Sequence, residues 1–268
     1  MYKFSQREFI RKNITAKIKI SKHKQIKTIT TVVLHRNKMS EESKNNGNGI
    51  RELYSMIHQE YIVMAEYRML QTENLQGIYV IPSYENSFLW FGVIFVKAGY
   101  YEGGIFRFTL TLPDKFPDEE VPILTFNPSL YHPAVDANTG VLNLSGVFPQ
   151  WDRKRNHIWQ ILKYLQCIFQ NLNMKVPSNV EASMAYKTNR KIFLEKVKEC
   201  VVSSIDHLYD DPPTEDKHYI TFTPYDPEIH DSAKNIMLKP QNLNEGQNHG
   251  ISWVQPGSYQ PFSKEETT

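Results

Sequence analysis

Two cysteines, Cys167 and Cys200, are all that this chain of 268 residues carries. That excludes a disulfide framework and any cysteine cluster at metal-ligand spacing, so a reducing compartment is expected. Long apolar runs are also missing. None approaches the length of about 20 residues that a membrane-spanning helix needs. The N-terminus lacks the apolar core of a secretory signal, and a cytoplasmic location is expected. There is no phosphate-cradling glycine loop, no Gly-x-Ser-x-Gly and no basic stripe interleaved with aromatics in the body. No cofactor and no nucleic acid are therefore expected. The histidines, His157, His207 and His218 among them, show no pairing at metal-ligand spacing, so no metal is expected.

Hydrophobic residues at 40% and aromatics at 12% suffice to fill one core. The small net charge of +2 hides an uneven distribution. Residues 1–50 hold 12 basic against 3 acidic residues, residues 51–210 hold 15 against 17, and residues 211–268 hold 4 against 9. The organisation that follows is a basic, disordered arm over 1–48, a folded domain over 49–210, and an acidic C-terminal extension with aromatic anchors over 211–268.

Within the body, Leu53, Met56, Ile57, Tyr61 and Met64 follow helical spacing and predict a first helix from Ile50 to about Glu73. Four strands are expected over 78–81, 89–96, 105–112 and 123–126. The third alternates cleanly, with Phe106, Phe108, Leu110 and Leu112 on one face. Short connections favour an antiparallel meander. A long stretch without periodicity, 127–156, has the length of a functional loop. Ile158, Ile161, Leu162, Leu165, Ile168 and Phe169 then predict a strongly amphipathic helix. A last helix, from Asn189 to Leu208, carries Phe193, Val197, Cys200, Val201 and Ser204 on one face, and Asp210-Asp211-Pro212-Pro213 ends it. The fold class is α+β.

The long loop holds the most informative residues. Tyr131-His132-Pro133-Ala134 is followed by Gly140-Val141-Leu142-Asn143-Leu144-Ser145. Upstream stand Pro117 and Pro122, and downstream Trp151 precedes the amphipathic helix. This ordered set resembles the ubiquitin-conjugating enzyme (E2) domain, in which a His-Pro-Asn triplet precedes a Gly-x-Ile-Cys-Leu-Asp stretch. Aligned to that pattern, Ala134 stands for the triplet's asparagine and Asn143 for the nucleophilic cysteine. A thioester carrier needs a thiolate-capable sulfur. The triplet's asparagine resembles a donor aimed at the developing oxyanion. The resemblance therefore implies an E2 (UBC-like) fold without catalysis: no catalytic residue, with His132, Pro133, Ala134 and Asn143 forming a degenerate site. His132 is read as organising the loop, Cys200 as a buried structural thiol, and Cys167 as lying opposite its helix's apolar stripe.

Phe148-Pro149-Gln150-Trp151-Asp152-Arg153, His157 to Tyr164, Gly77 to Tyr84 and Ser252-Trp253-Val254-Gln255-Pro256-Gly257-Ser258 narrow the resemblance to the AKT-interacting protein, or fused toes and crossbronx, family of inactive E2 variants. That resemblance implies an adaptor that joins Hook-like coiled-coil proteins and a larger scaffold, linking vesicles or endosomes to microtubule motors, with a tie to the kinase AKT and a peripheral place on those membranes. Trp253, Tyr259 and Phe262 are the candidate partner-binding anchors. The alternative reading is a ubiquitin-binding cofactor of an active E2.

Overall fold

The computed structural model describes residues 47–118, 120–228 and 230–231. The basic arm before Gly47 and the anchors Trp253, Tyr259 and Phe262 lie outside the described residues.

The first helix, α1 (Gly47–Thr72), packs on the core through its C-terminal half, where Val63, Glu66 and Tyr67 are buried. This corrects the expected apolar stripe. Met56 and Tyr61 are 45% and 69% exposed. The residues that dock lie further along, where Tyr67 meets Trp90 edge to face at 5.5 Å.

Four strands follow: β1 (Ile78–Pro82), β2 (Leu89–Phe95), β3 (Ile105–Thr111) and β4 (Ile123–Phe126). They pair antiparallel in sequence order, the expected meander. Register places Gly92 opposite Phe108. A Cβ at Gly92 would come within 2.3 Å of the Phe108 ring, so only glycine lets that ring lie across the strand. The inner face, with Trp90, Ile94, Phe106, Phe108 and Leu110, meets α2 (Ile158–Ile168). Ile158, Ile161, Leu162, Leu165 and Ile168 of that helix are almost completely buried, as their spacing predicts.

Two helices follow where the sequence suggested one. Short α3 (Val180–Thr188) starts at Asn179, whose side chain accepts the Ala182 N–H at 2.9 Å. Asn189 then separates it from α4 (Arg190–Asp206) and caps the second helix by accepting the Ile192 N–H at 3.3 Å. Helix α4 ends in a 3-10 turn, His207–Tyr209.

The sheet's outer face is not left to solvent. The chain after Asp210, assigned from sequence to the extension, turns back over it, and the compact unit runs to Asp226. Tyr219 meets Phe91 at 5.1 Å, Phe222 meets Phe95 at 6.2 Å, and the Arg107 guanidinium lies 4.9 Å from the Phe222 ring. Val93, Phe95, Ile105 and Leu208 form a second small core beneath this strap. Asp216, only 8% exposed, latches it. Its carboxylate accepts the Ser83 hydroxyl at 2.6 Å and the Tyr84 N–H at 3.1 Å.

Candidate functional site

The loop after β4 is built around a buried histidine. His132 is fully enclosed, with Tyr101 at 5.4 Å and Phe169 at 5.8 Å. Its Nδ1 accepts the Ala134 N–H at 2.9 Å, which leaves Nε2–H to donate to the Ile168 carbonyl at 3.0 Å. One ring thus ties the His-Pro-Ala turn to the end of α2. Burial pushes its pKa down from 6.5 to about 4, so the ring is neutral near pH 7.

The neighbouring backbone is equally well held. The Pro133 carbonyl accepts N–H groups from Ser178 and Asn179 at 3.0 and 3.1 Å, which docks the lead-in to α3 against the loop. Ala134 is 1% exposed, and its carbonyl accepts the Asn143 N–H at 2.8 Å. Asp136 caps the turn that follows, accepting Asn138 and Thr139 N–H groups at 3.0 and 2.8 Å. These bonds hold its carboxyl below the usual range. Gly140 closes the turn at φ +72, where a Cβ would come within 2.5 Å of the Phe126 carbonyl oxygen.

Asn143 therefore lies beside Ala134 on a rigid support. Its Oδ1 accepts the Ser145 N–H at 3.0 Å and the Ser145 hydroxyl at 2.6 Å, and its Nδ2 reaches the Val176 carbonyl at 3.4 Å. The amide caps the turn that leads to Phe148 and Trp151, which pack together at 5.9 Å. Arg153 pairs with Asp118 at 2.7 Å, both about half exposed, which ties the proline-rich turn to this loop at small energetic gain.

No cysteine occurs between residues 127 and 157. Cys167 is exposed on α2. Cys200 is half-buried, rather than fully enclosed as its position on α4 suggested, and burial pushes its thiol pKa up. It lines a cleft of about 690 Å³ between β3, the start of the long loop and α4, together with Arg107, Tyr131, Lys196 and Ser203. Among the described residues, no group of three or more His, Cys, Asp or Glu side chains could hold a metal, and no helix is long and apolar enough to cross a membrane.

Sequence reasoning found the loop and missed its lid. Val176, Ser178 and Asn179 close onto Asn143 and Pro133, yet no periodicity marks them. The available signal was the Ser-Asn pair ahead of Val180-Glu181-Ala182, a helix start.

The fold and loop belong to a ubiquitin-conjugating domain, and a model of that family, described as ubiquitin-conjugating enzyme, matches residues 62–201. A protein crossbronx homolog from Anopheles gambiae is 47% identical over 80% of this chain and 97% of its own length. AKT-interacting proteins from Rattus norvegicus and Homo sapiens are each 40% identical over 82% of this chain and 77% of theirs. The chain belongs to the ubiquitin-conjugating enzyme family, within its crossbronx and AKT-interacting protein group of E2 variants.

Proposed function

We propose that this protein is a non-catalytic E2-like adaptor. The observation that carries the reading is the state of Asn143 and its neighbours. In the family frame Asn143 takes the nucleophile's position, and both ends of its amide are already engaged in hydrogen bonds. An amide cannot carry a thioester. Ala134 has no side-chain donor for an oxyanion. The adjacent His132 is neutral, buried and fully bonded, so it has no free nitrogen to act as a base. What persists is a rigid shell.

The partners follow from the family resemblance: Hook-like coiled-coil proteins, a larger scaffold, and AKT, which the relatives' name records. The location is cytoplasmic and peripheral on endosomes or vesicles. Incubation with activating enzyme, ATP and ubiquitin, followed by a non-reducing gel, tests the chemistry, and no reductant-sensitive adduct is expected. An adduct abolished by Cys167→Ser or Cys200→Ser would overturn the reading. Affinity purification from cells tests the adaptor role. Long coiled-coil proteins are expected, and recovery of an active E2 with ubiquitin instead would replace it with the cofactor alternative.

A further inference from the structure

The segment that closes over the degenerate site has a property that site does not use. Val176, Val180 and Met184 are 73%, 59% and 59% exposed, three apolar side chains at successive spacings of four residues. Val180 and Met184 stand one turn apart on the same face of α3. Lysines bracket the row: Lys175 precedes Val176, and Lys187 follows Met184 by three positions, both exposed. Arg190 and Lys191 continue the positive charge into α4. Glu181 is the only acid between 174 and 191, and Lys196 already pairs with it. Residues 51–210 hold 15 basic against 17 acidic residues in all, yet this short stretch carries four basic residues against one acid, itself paired.

We infer that the exposed face of α3 bearing Val180 and Met184, with Val176 just ahead of the helix and a lysine rim, docks on an anionic phospholipid surface. Apolar side chains that stand proud of a helix enter the headgroup boundary, and flanking lysines gain from the negative surface potential. The cleft near Cys200 is not lined by these residues, so the row is not the wall of that cavity. The row also leaves the fold's own interactions untouched, because α3 holds its place through Ala182 and Ser183, which are buried on its other side. The 12 basic residues among the first 50 add attraction of the same sign. The inference rests on the peripheral location proposed above for its setting, but not on any protein partner, so vesicle binding and capture of a coiled-coil protein fail separately.

Flotation of the full chain with phosphatidylcholine vesicles, with and without phosphatidylserine, tests it. The wild type is expected to float with the phosphatidylserine vesicles, to release as salt rises, and to stay behind with phosphatidylcholine alone. Val180→Asp with Met184→Asp should cut the bound fraction about tenfold or more. Asp at position 180 suits the start of a helix, so the fold should survive, and thermal melting checks this. Ile123→Asp, at a 51% exposed position on β4, adds one of those two negative charges outside the row and should float almost as well as wild type. Lys187→Ala with Lys191→Ala should float less at physiological salt. Wild type that stays unbound with phosphatidylserine, or a double aspartate variant that floats like wild type, overturns the inference. So does an equal loss in Ile123→Asp, which would reduce the effect to net charge. Binding of the unbound wild type to a protein would then make the row a protein interface instead.

Discussion

Glu66, in the docked half of α1, reaches across to the first turn of α2. One carboxylate oxygen accepts the Ile158 N–H at 3.0 Å, and the other lies 2.9 Å from His157 Nδ1. A carboxylate at a helix N-terminus satisfies an orphan donor and meets the positive end of the helix dipole. Here it comes from another helix, so it also fixes the angle at which α1 meets α2. Glu66→Ala would leave a buried N–H unpaired. We expect a loss of about 1–3 kcal/mol, and Glu66→Gln should recover part of it. Urea denaturation of the three proteins measures this, and equal midpoints would remove Glu66 from the list of stabilising groups.

His132 gives the fold a defined response to acid. Its folded pKa is about 4 against an ordinary 6.5, so the unfolded chain binds the extra proton first. The stability that depends on its neutral ring is fully present above about pH 6.5 and is lost as pH falls towards 4. The lowered carboxyl of Asp216 acts in the same direction at lower pH. Burial alone would raise it, but the bonds from Ser83, His218, Tyr84 and Glu85 outweigh burial. Its contribution is lost as pH drops through and below the ordinary carboxylate range. Stability measured from pH 7 to 4 should decline, and His132→Gln should start lower and decline less steeply. Parallel slopes for the two proteins would show that another group takes up the proton.

What could be read from the sequence follows from how strongly each element repeats a period. The alternation of Phe106, Phe108 and Leu110 and the row Ile158, Ile161, Leu162, Leu165 each bury a whole face, so period and packing agree. Helix α1 misleads because Met56 and Tyr61 keep helical spacing while facing outward, where nothing described packs on them. Helix α3 escapes because only Ala182 and Ser183 are buried, and neither is bulky enough to mark a stripe. The place of the long loop in the family frame was legible from His132, Ala134 and Asn143 in their order. Its closure by Val176, Ser178 and Asn179 was not, since that depends on backbone groups that no residue type announces.

The strap over the outer sheet face makes its own prediction. Asp216 is its only buried carboxylate among the described residues, and it gathers donors from Ser83, Tyr84 and His218. Asp216→Ala should lift residues 212–222 and expose Phe91, Phe95 and Ile105. Hydrogen exchange should then accelerate in the strap, with a smaller increase in β2 and β3. Removing everything after Asp210 should lower the melting temperature clearly, whereas removing everything after Asp226 should leave it near wild type. Equal melting of the two truncations would show that the strap adds nothing to the unit.

If the adaptor reading holds, capture of a coiled-coil partner should not depend on the old catalytic loop. Trp253→Ala is expected to weaken capture of a Hook-like protein, because interfaces concentrate their energy in buried aromatic anchors. Asn143→Ala should capture it nearly as well as wild type. The reverse ranking, in variants that melt normally, would make the loop itself the interface.

Placing a cysteine at position 143 should not by itself make an enzyme. Asn143→Cys puts a thiol in the family's position but removes the acceptor for the Ser145 N–H and hydroxyl, loosening the turn that positions it. It also leaves Ala134 without a donor, and the loss of one oxyanion donor alone costs about a hundredfold or more in rate. Adding Ala134→Asn is no simple repair. Ala134 is 1% exposed and its N–H is bonded to the His132 ring, so an amide there must either be buried or push the loop outward. We therefore expect Asn143→Cys to accept ubiquitin slowly at most and to pass none detectably to free lysine. The double variant should melt at a lower temperature without gaining transfer. Single-turnover discharge assays, run beside an active conjugating enzyme, measure both. Transfer by Asn143→Cys at a rate comparable to that enzyme would mean that the shell around the site is still catalytic and that only its sulfur is missing.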